Sequence, residues 1–511
     1  MINFKNKNYY LSSFVWSTLS KLLNAVLGFI SIPILLNAYG MSDYGVLSIA
    51  IACNAYMYVL DLGMNVGAIK FYSTWKTEGD LERIERVART NITFYLIISL
   101  VNIILLGGFI IWGVGSFSLS SYQSSMLVTC LLILAGFSVM NWLSSVFYQL
   151  LVANEQMGYA MQVQCVQTIF KLLFVGSLCW VEIQLTSYFL IFTFIVSLVV
   201  VPYAMRCKRT QLIRSLKPAF YFSELKEVLA FSLSIFLLSL LQISAVQSRP
   251  LLLGIFAFDG ASSVAEYKII ELIPNFLIVL CGVFSSIFLP RTSAMMVNKS
   301  QTEIQTFSNT WTLRVSILAN LLSVPFALCA SDVLYVYLGK GYEDLAFWMA
   351  LWIPAIVLQI HSTPGNAIVL AHGNIRPLVV ITFIACMISI PINIVLIKPL
   401  GVGAAVVSYY IYIFIILLYN YIYYYKKVLH LQSWTMFKRF VQPTAVAILT
   451  SVVSFELFTA IAPIFSGISR LECLGLLTLK IIIWCSFYLL CLKTVGIDGV
   501  SLKKIFLLDT K

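Results

Sequence analysis

Charge is what this sequence has least of. Only 11% of its 511 residues are Asp, Glu, Lys or Arg, against about 25% in a soluble domain. So few charges cannot solvate a surface around a chain that is 60% apolar, with mean hydropathy +0.93. That shortage excludes an ordinary soluble enzyme, a disordered protein and a secreted disulfide scaffold, and leaves an all-α polytopic membrane protein. Histidine is scarce as well. His361, His372 and His430 show no ligand spacing, which argues against a metal centre. The eleven cysteines contain no C-x-x-C pair and read as small apolar residues. There is no G-x-x-x-x-G-K-[ST] loop to cradle a nucleotide, and no cofactor is expected. The longest connection, around residues 206–224, is roughly 20 residues, too short for an extramembrane catalytic domain. The mildly basic N-terminus lacks a small-residue cleavage site and reads as leading into a retained first helix, not a signal peptide.

What the sequence does have is long apolar runs. A membrane-spanning helix needs about 20 mostly apolar residues. About fourteen segments qualify: 10–38, 45–73, 90–113, 124–152, 157–180, 186–205, 226–250, 265–290, 309–338, 345–371, 375–397, 401–424, 442–463 and 471–493. Alternate connections hold nearly all the basic residues. One set carries Lys5, Lys7, Lys76, Arg83, Arg86, Arg89, Arg206, Lys208, Arg209, Arg214, Lys217, Lys226, Arg291, Lys299, Arg376, Lys426, Lys427, Lys438, Arg439, Lys493, Lys503, Lys504 and Lys511. The other holds little beyond Lys340, Lys398 and Arg470. Positive charge stays on the cytoplasmic side, so both termini are expected there. The net charge of +12 is then mainly a topology signal, and nucleic acid is not an expected partner. Tyr421, Tyr423, Tyr424 and Tyr425 before Lys426 fit an aromatic belt at that interface.

The two halves match at corresponding junctions. Ser31-Ile-Pro33-Ile-Leu-Leu pairs with Ser248-Arg-Pro250-Leu-Leu-Leu, Lys76-Thr-Glu78-Gly-Asp-Leu-Glu-Arg-Ile84 with Asn298-Lys-Ser-Gln-Thr-Glu303-Ile304, and Leu151-Val-Ala153-Asn with Val369-Leu-Ala371-His. The offsets are all about 217–220 residues. Six spans per copy is even, so the copies lie parallel. The expected organisation is a six-helix lobe over 1–205, a cytoplasmic linker over 206–225 and a second six-helix lobe over 226–424. Two additional helices and a basic tail follow over 425–511.

Gly40-Met-Ser-Asp-Tyr44-Gly45-Val-Leu-Ser and Tyr58-Val-Leu-Asp61-Leu-Gly63-Met-Asn-Val-Gly67 resemble the opening of the polysaccharide-transporter family. These are the Wzx-type flippases for undecaprenyl-pyrophosphate-linked O-antigen units. They share a superfamily with the lipid II flippase and the MATE multidrug exporters. The resemblance implies two six-helix lobes around a central cavity, open alternately to each side. It implies a lipid-linked oligosaccharide moved outward across the bacterial inner membrane for lipopolysaccharide or related surface polysaccharide. It also implies contact with a polysaccharide polymerase and chain-length machinery.

Several spans carry polar residues on one face: Ser17, Ser20, Lys21 and Asn24 in the first, Tyr58, Asp61 and Asn65 in the second, Gln164, Gln167 and Lys171 in the fifth. Ser239, Gln242 and Arg249 do so in the seventh, and Lys268, Glu271 and Asn275 in the eighth. Lone hydroxyls of this kind mostly glue helices together. Charge is different, because it costs on the order of 2.5–3.5 kcal/mol at the bilayer centre. Lys21, Lys171, Arg249 and Lys268, with Asn24, Gln167 and Gln242, are therefore the candidate substrate contacts. Cations compensate a pyrophosphate, and amides bond sugar hydroxyls. Structural pairing is the competing reading: Lys21 with Asp61, and Lys268 with Glu271 one turn away. Asp61 and Glu271 read as ion-coupling or charge-pairing residues. His361 reads as a proton-coupling group or a hydrogen-bonded core histidine. Lys70 and Arg314 are expected to snorkel, and Lys480 and Glu456 to pair or snorkel. The rival functions are a multidrug or cation antiporter of the same fold, and a membrane polymerase or glycosyltransferase. The antiporter would want an acidic cavity. The enzyme would want a large catalytic loop, which the sequence lacks.

Overall fold

The computed structural model describes residues 7–298, 301–373, 376–461 and 469–497; those residues are nearly all helical, with no strand among them. Lys5, Lys299, Lys503, Lys504 and Lys511 of the topology argument lie outside that range. Helix α1 (Lys7–Met57) is really two helices joined at Gly40, whose φ of +78° breaks the helical path at little cost because glycine has no Cβ. A 3-10 turn, Tyr58–Asp61, leads into α2 (Met64–Glu78). Helix α3 (Leu81–Gly108) runs on into a π-helical turn, Phe109–Gly113. Then come α4 (Ser121–Ala153), α5 (Met157–Ser177), α6 (Leu185–Ser197), α7 (Val200–Arg209), α8 (Phe222–Phe256) and α9 (Gly260–Asn298). Next are α10 (Gln301–Leu328), α11 (Ala330–Leu338), α12 (Leu345–Ile360), α13 (Thr363–His372), α14 (Arg376–Leu400) and α15 (Gly403–Tyr419), the last prolonged by a π-helical stretch, Asn420–Val428. Helices α16 (Ser433–Ile461) and α17 (Arg470–Thr494) complete the chain.

These helices fall on the fourteen expected segments, but several segments are broken where the sequence suggested continuous spans. The second is interrupted at 58–63, the sixth between α6 and α7, the ninth at Cys329 and the tenth at His361–Ser362. By length and apolarity alone, nine helices among the described residues could cross a membrane, ten if the bent pair α12–α13 is one span. Part of the difference has physical causes. Helix α1 carries two spans through Gly40, and the polar stripe Gln164, Gln167 and Lys171 thins the apolarity of α5. Pro250, expected to disrupt the seventh span, lies within an unbroken α8.

The repeat is visible in the helix ends. Gly108 closes α3 and Leu328 closes α10; Ala153 closes α4 and His372 closes α13; Leu185 opens α6 and Gly403 opens α15. Each pair is about 218–220 residues apart. By packing, the chain forms two units, Met1–Tyr267 with Ile397–Gly401, and Lys268–Leu396 with Val402–Lys511. In the first unit α1 lies along α5, α3 along α4, and α8 packs on α1 and α2. Its core holds a large aromatic group, including Tyr72, Trp75, Tyr95, Trp142 and Tyr203. Residues 217–224 form a strap on α3. Arg89 Nε donates to the Lys217 carbonyl at 2.9 Å, Thr93 Oγ1 to the Ala219 carbonyl at 2.6 Å, and Arg86 pairs with Glu224 at 3.1 Å. In the second unit α10 packs on α12 and α16, and α17 packs on α16 and α11.

The glycines of the second span and its approach have a steric role. A Cβ on Gly45 would lie 1.8 Å from the Ala261 carbonyl oxygen at the start of α9. One on Gly63 (φ +74°) would lie 2.6 Å from the Ser232 carbonyl, and one on Gly67 would lie 2.0 Å from Ser232 Oγ. Gly45 and Gly63 let α1 and the start of α2 touch their neighbours backbone to backbone, and Gly67 leaves room for the Ser232 side chain. Gly45→Ala and Gly63→Ala are expected to destabilise the protein by about 1–3 kcal/mol, seen as a lower melting temperature in detergent. Gly28→Ala, which meets nothing within 4 Å, is expected to leave melting unchanged or slightly raised.

Candidate functional site

Helices α1 and α5 run in the same direction along a polar seam. Ser20 Oγ donates to Gln164 Oε1 at 3.4 Å, and Thr168 Oγ1 to Asn24 Oδ1 at 3.3 Å. That register puts Lys171 level with Leu27–Gly28, about 9 Å further along the axis than Lys21 at 1.5 Å per residue. The exposed residues of α1 form two stripes. Val15, Leu19, Leu22, Val26, Phe29 and Ile30 make an apolar ridge. Lys21 and Asn24 are exposed on the far side of the helix, as their 3.6-residue phase requires. Lys171 is only 9% exposed, with Phe192 as its ring neighbour at 6.0 Å. Among the described residues no carboxylate lies within ion-pair distance of Lys21 or Lys171. Gln167 turns elsewhere. Its amide donates to the Val196 carbonyl at 2.7 Å and to Ile195 at 3.3 Å, satisfying acceptors freed at the α6–α7 break.

Asp61 sits at the break in the second span, followed by Leu62 and Gly63, both in the left-handed region. Its Oδ2 accepts from the Asn65 backbone N–H at 3.1 Å, which caps the start of α2. Its Oδ1 accepts from Tyr95 Oη at 2.6 Å. Tyr95 in turn accepts from Gln149 Nε2 at 2.7 Å, and Asn91 donates to Tyr72 Oη at 2.8 Å and to Gln149 at 3.5 Å. Tyr95, Gln149, Asn91 and Tyr72 are all fully buried. In place of the competing Lys21–Asp61 pairing, Asp61 takes hydrogen bonds from neutral groups. Sequence reasoning missed this network, since its members lie on three helices; the only local signal was the Asp-Leu-Gly turn.

The other candidates divide by unit. In the first, Arg249 is 4% exposed on α8, while Gln242 on the same helix is exposed. In the second, Lys268 Nζ lies 2.7 Å from Glu271 Oε2, so the local pairing reading describes them. His361 is 1% exposed, stacks on Phe440 at 3.8 Å and has Nε2 3.1 Å from Tyr421 Oη. That is the surrounding of a core histidine at the α12–α13 bend. Lys480 pairs with Asp332 at 2.6 Å, tying α17 to α11. A cavity of about 620 Å³ opens between α10, α12, α15 and α16, with Val324, Leu328, Val357, Ile448 and Val452 on its walls and Glu456 as its sole charged residue. The adjoining surface of α16 exposes Ile448, Leu449, Val452 and Val453.

Tyr95 and Asp61 are expected to act as one unit. In a double-mutant cycle of Asp61→Asn and Tyr95→Phe, read by thermal unfolding, the coupling should be about 0.5–3 kcal/mol. Strict additivity would show that the 2.6 Å contact contributes nothing.

No family model matches the sequence, and no curated protein matches it. Solved structures do resemble the fold. The lipid II flippase MurJ, in an inward closed conformation, superposes with a TM-score of 0.69 at 12% identity, over 94% of this chain and 99% of that one. An inward-facing multidrug resistance MATE family transporter of the MOP superfamily superposes at 0.65 with 15% identity, over 78% and 93%. The MATE multidrug transporter DinF-BH gives 0.58 at 15% identity, over 84% and 98%. The chain has the polytopic helical fold that MATE transporters and MurJ share.

Proposed function

We propose that this protein is a flippase that moves an undecaprenyl-pyrophosphate-linked oligosaccharide, an O-antigen or related surface polysaccharide unit, across the bacterial inner membrane by alternating access. The observation that carries this reading is the uneven compensation of charge inside the spans. In the second unit Lys268 and Lys480 each have a carboxylate within 2.7 Å. In the first unit Lys21 and Lys171 have none among the described residues. Holding cations unpaired in a bilayer is costly, and an anionic cargo recovers that cost when it binds. The pyrophosphate is such a cargo, and Asn24 beside Lys21 can serve the first sugar. The apolar cavity flanking α16 suits a polyprenyl chain that remains in contact with lipid. The fold shared with a lipid II flippase agrees with this cargo class. The clustering of basic residues at alternate connections supports cytoplasmic termini.

A multidrug antiporter of the same fold is the second reading, favoured by the MATE likeness. A cationic drug would want uncompensated carboxylates where this chain has uncompensated lysines. Asp61, the acidic candidate in the first unit, is already satisfied by Tyr95 and Asn65.

Deletion of the chromosomal copy is expected to abolish surface polysaccharide and leave lipid-linked units on the cytoplasmic leaflet. Complementation with Lys21→Ala or Lys171→Met should restore export about ten- to a hundredfold less well than wild type, the loss of about 1.5–3 kcal/mol of charge-assisted bonding, at equal protein level. Lys171→Met should also raise the melting temperature, because it removes a buried uncompensated charge. Full complementation by both variants would remove these lysines from the site, and drug sensitivity with normal polysaccharide would favour the antiporter.

A further inference from the structure

The first unit holds a second cleft, of about 890 Å³, that plays no part in the lysine site. It is built where the first half of α1 ends, α4 begins and the α5–α6 connection turns. Helix α4, 33 residues long, starts here and ends beside Lys76 and Arg214, about 50 Å away at 1.5 Å per residue. The cleft thus lies at the end of the unit opposite the basic segments.

Its lining has a definite chemistry. Asp43, Glu182, Asn37 and Gln184 contribute planar polar groups, with Trp180 and Tyr122 as large rings. Among the described residues none of those four polar side chains is engaged in a hydrogen bond or ion pair. Trp180 is 84% exposed and Tyr122 68%, yet neither is on a loose segment. Trp180 is fixed in a turn by backbone bonds to Ser177 at 3.0 Å. Tyr122 stands in the first turn of α4, which a Ser120–Gln123 capping box secures. No Lys or Arg lines the cleft, so it offers nothing to a pyrophosphate. Its walls are too polar for an alkyl chain. Among the described residues no group of three His, Cys, Asp or Glu side chains could hold a metal ion. Rings on an ordered backbone beside free carboxylates and amides match one ligand class well. A saccharide presents a flat C–H face for an aromatic ring and a rim of hydroxyls for planar acceptors and donors.

We propose that this cleft binds a saccharide, neutral or amino-bearing and not acidic, through stacking on Trp180 and Tyr122 and hydrogen bonds to Asp43, Glu182, Asn37 and Gln184. The inference deepens the flippase reading and rests on it for its purpose: the cleft receives the sugar part of the cargo at the outer end, away from the site that holds the phosphates. Two unopposed carboxylates set the selectivity by repelling uronic acids and attracting an ammonium group.

The test uses the full chain in detergent micelles, with glucosamine, glucose and glucuronic acid as probes in saturation-transfer NMR. Glucosamine and glucose are expected to receive saturation and glucuronic acid to receive little. Trp180→Ala should weaken glucosamine binding about fivefold, the worth of one aromatic contact, with an unchanged melting temperature because the ring is exposed. Glu182→Gln should weaken glucosamine more than glucose. Cys179 lines the same cleft and is exposed, so glucosamine should slow its labelling by a maleimide. Absent transfer, transfer equal in wild type and Trp180→Ala, or labelling indifferent to glucosamine would overturn the proposal; the last two would leave Trp180 as an interfacial anchor. Failure of the flippase reading would show separately, as normal surface polysaccharide in the deletion strain.

Discussion

An ionised side chain within a bilayer must find a counter-charge, a set of hydrogen bonds or water, since hydrocarbon offers none of these. Five charged groups in the spans can be sorted by which solution they use. Lys268 uses Glu271, and Lys480 uses Asp332. Asp61 uses the Tyr95 hydroxyl and the first turn of α2. Lys21 reaches accessible space on the far side of α1 from its apolar ridge. Lys171, mostly buried beside Phe192, uses none of these fully. Under the proposed function it is the residue with most to gain from an anionic ligand.

The breaks in the helices follow from the same constraint. A broken span frees backbone groups that must be satisfied nearby. At the second span Asp61 does this for α2, and at the sixth Gln167 does it for the end of α6. The glycines around the first break serve packing. Gly45 and Gly63 bring backbone against backbone and Gly67 makes room for the Ser232 hydroxyl, which places the Asp61 turn against α8. The family-like signature at 40–67 thus encodes a broken, tightly packed second span, and its residues need not touch cargo.

Much of the fold was legible because the signals are local. Apolar runs gave the fourteen segments, and matched junctions gave the repeat that the helix ends of α3 and α10 reproduce. The Lys268–Glu271 pair was legible because three residues on a helix make one turn. What was hidden depends on tertiary contact. The partner of Asp61 lies 34 residues away on another helix, and that of Lys480 lies 148 residues away. Gln167 carried the same polar-stripe signal as Lys171, but an amide can turn to backbone carbonyls and an ammonium deep in a span has fewer neutral outlets. The cleft at Trp180 was invisible because its residues come from three places far apart in sequence, the middle of α1, the start of α4 and the α5–α6 connection.

Transport itself can be measured with one purified component. Proteoliposomes bearing a fluorescent polyprenyl-pyrophosphate-linked saccharide on both leaflets are treated with an impermeant quencher. With wild-type protein the inner-leaflet label should become accessible and the signal fall towards zero. With Lys171→Met the fall beyond half should be about ten- to a hundredfold slower than with wild type. Equal rates of quenching with wild type and Lys171→Met would contradict the role given to that lysine, and no quenching beyond half with wild type would contradict the account as a whole.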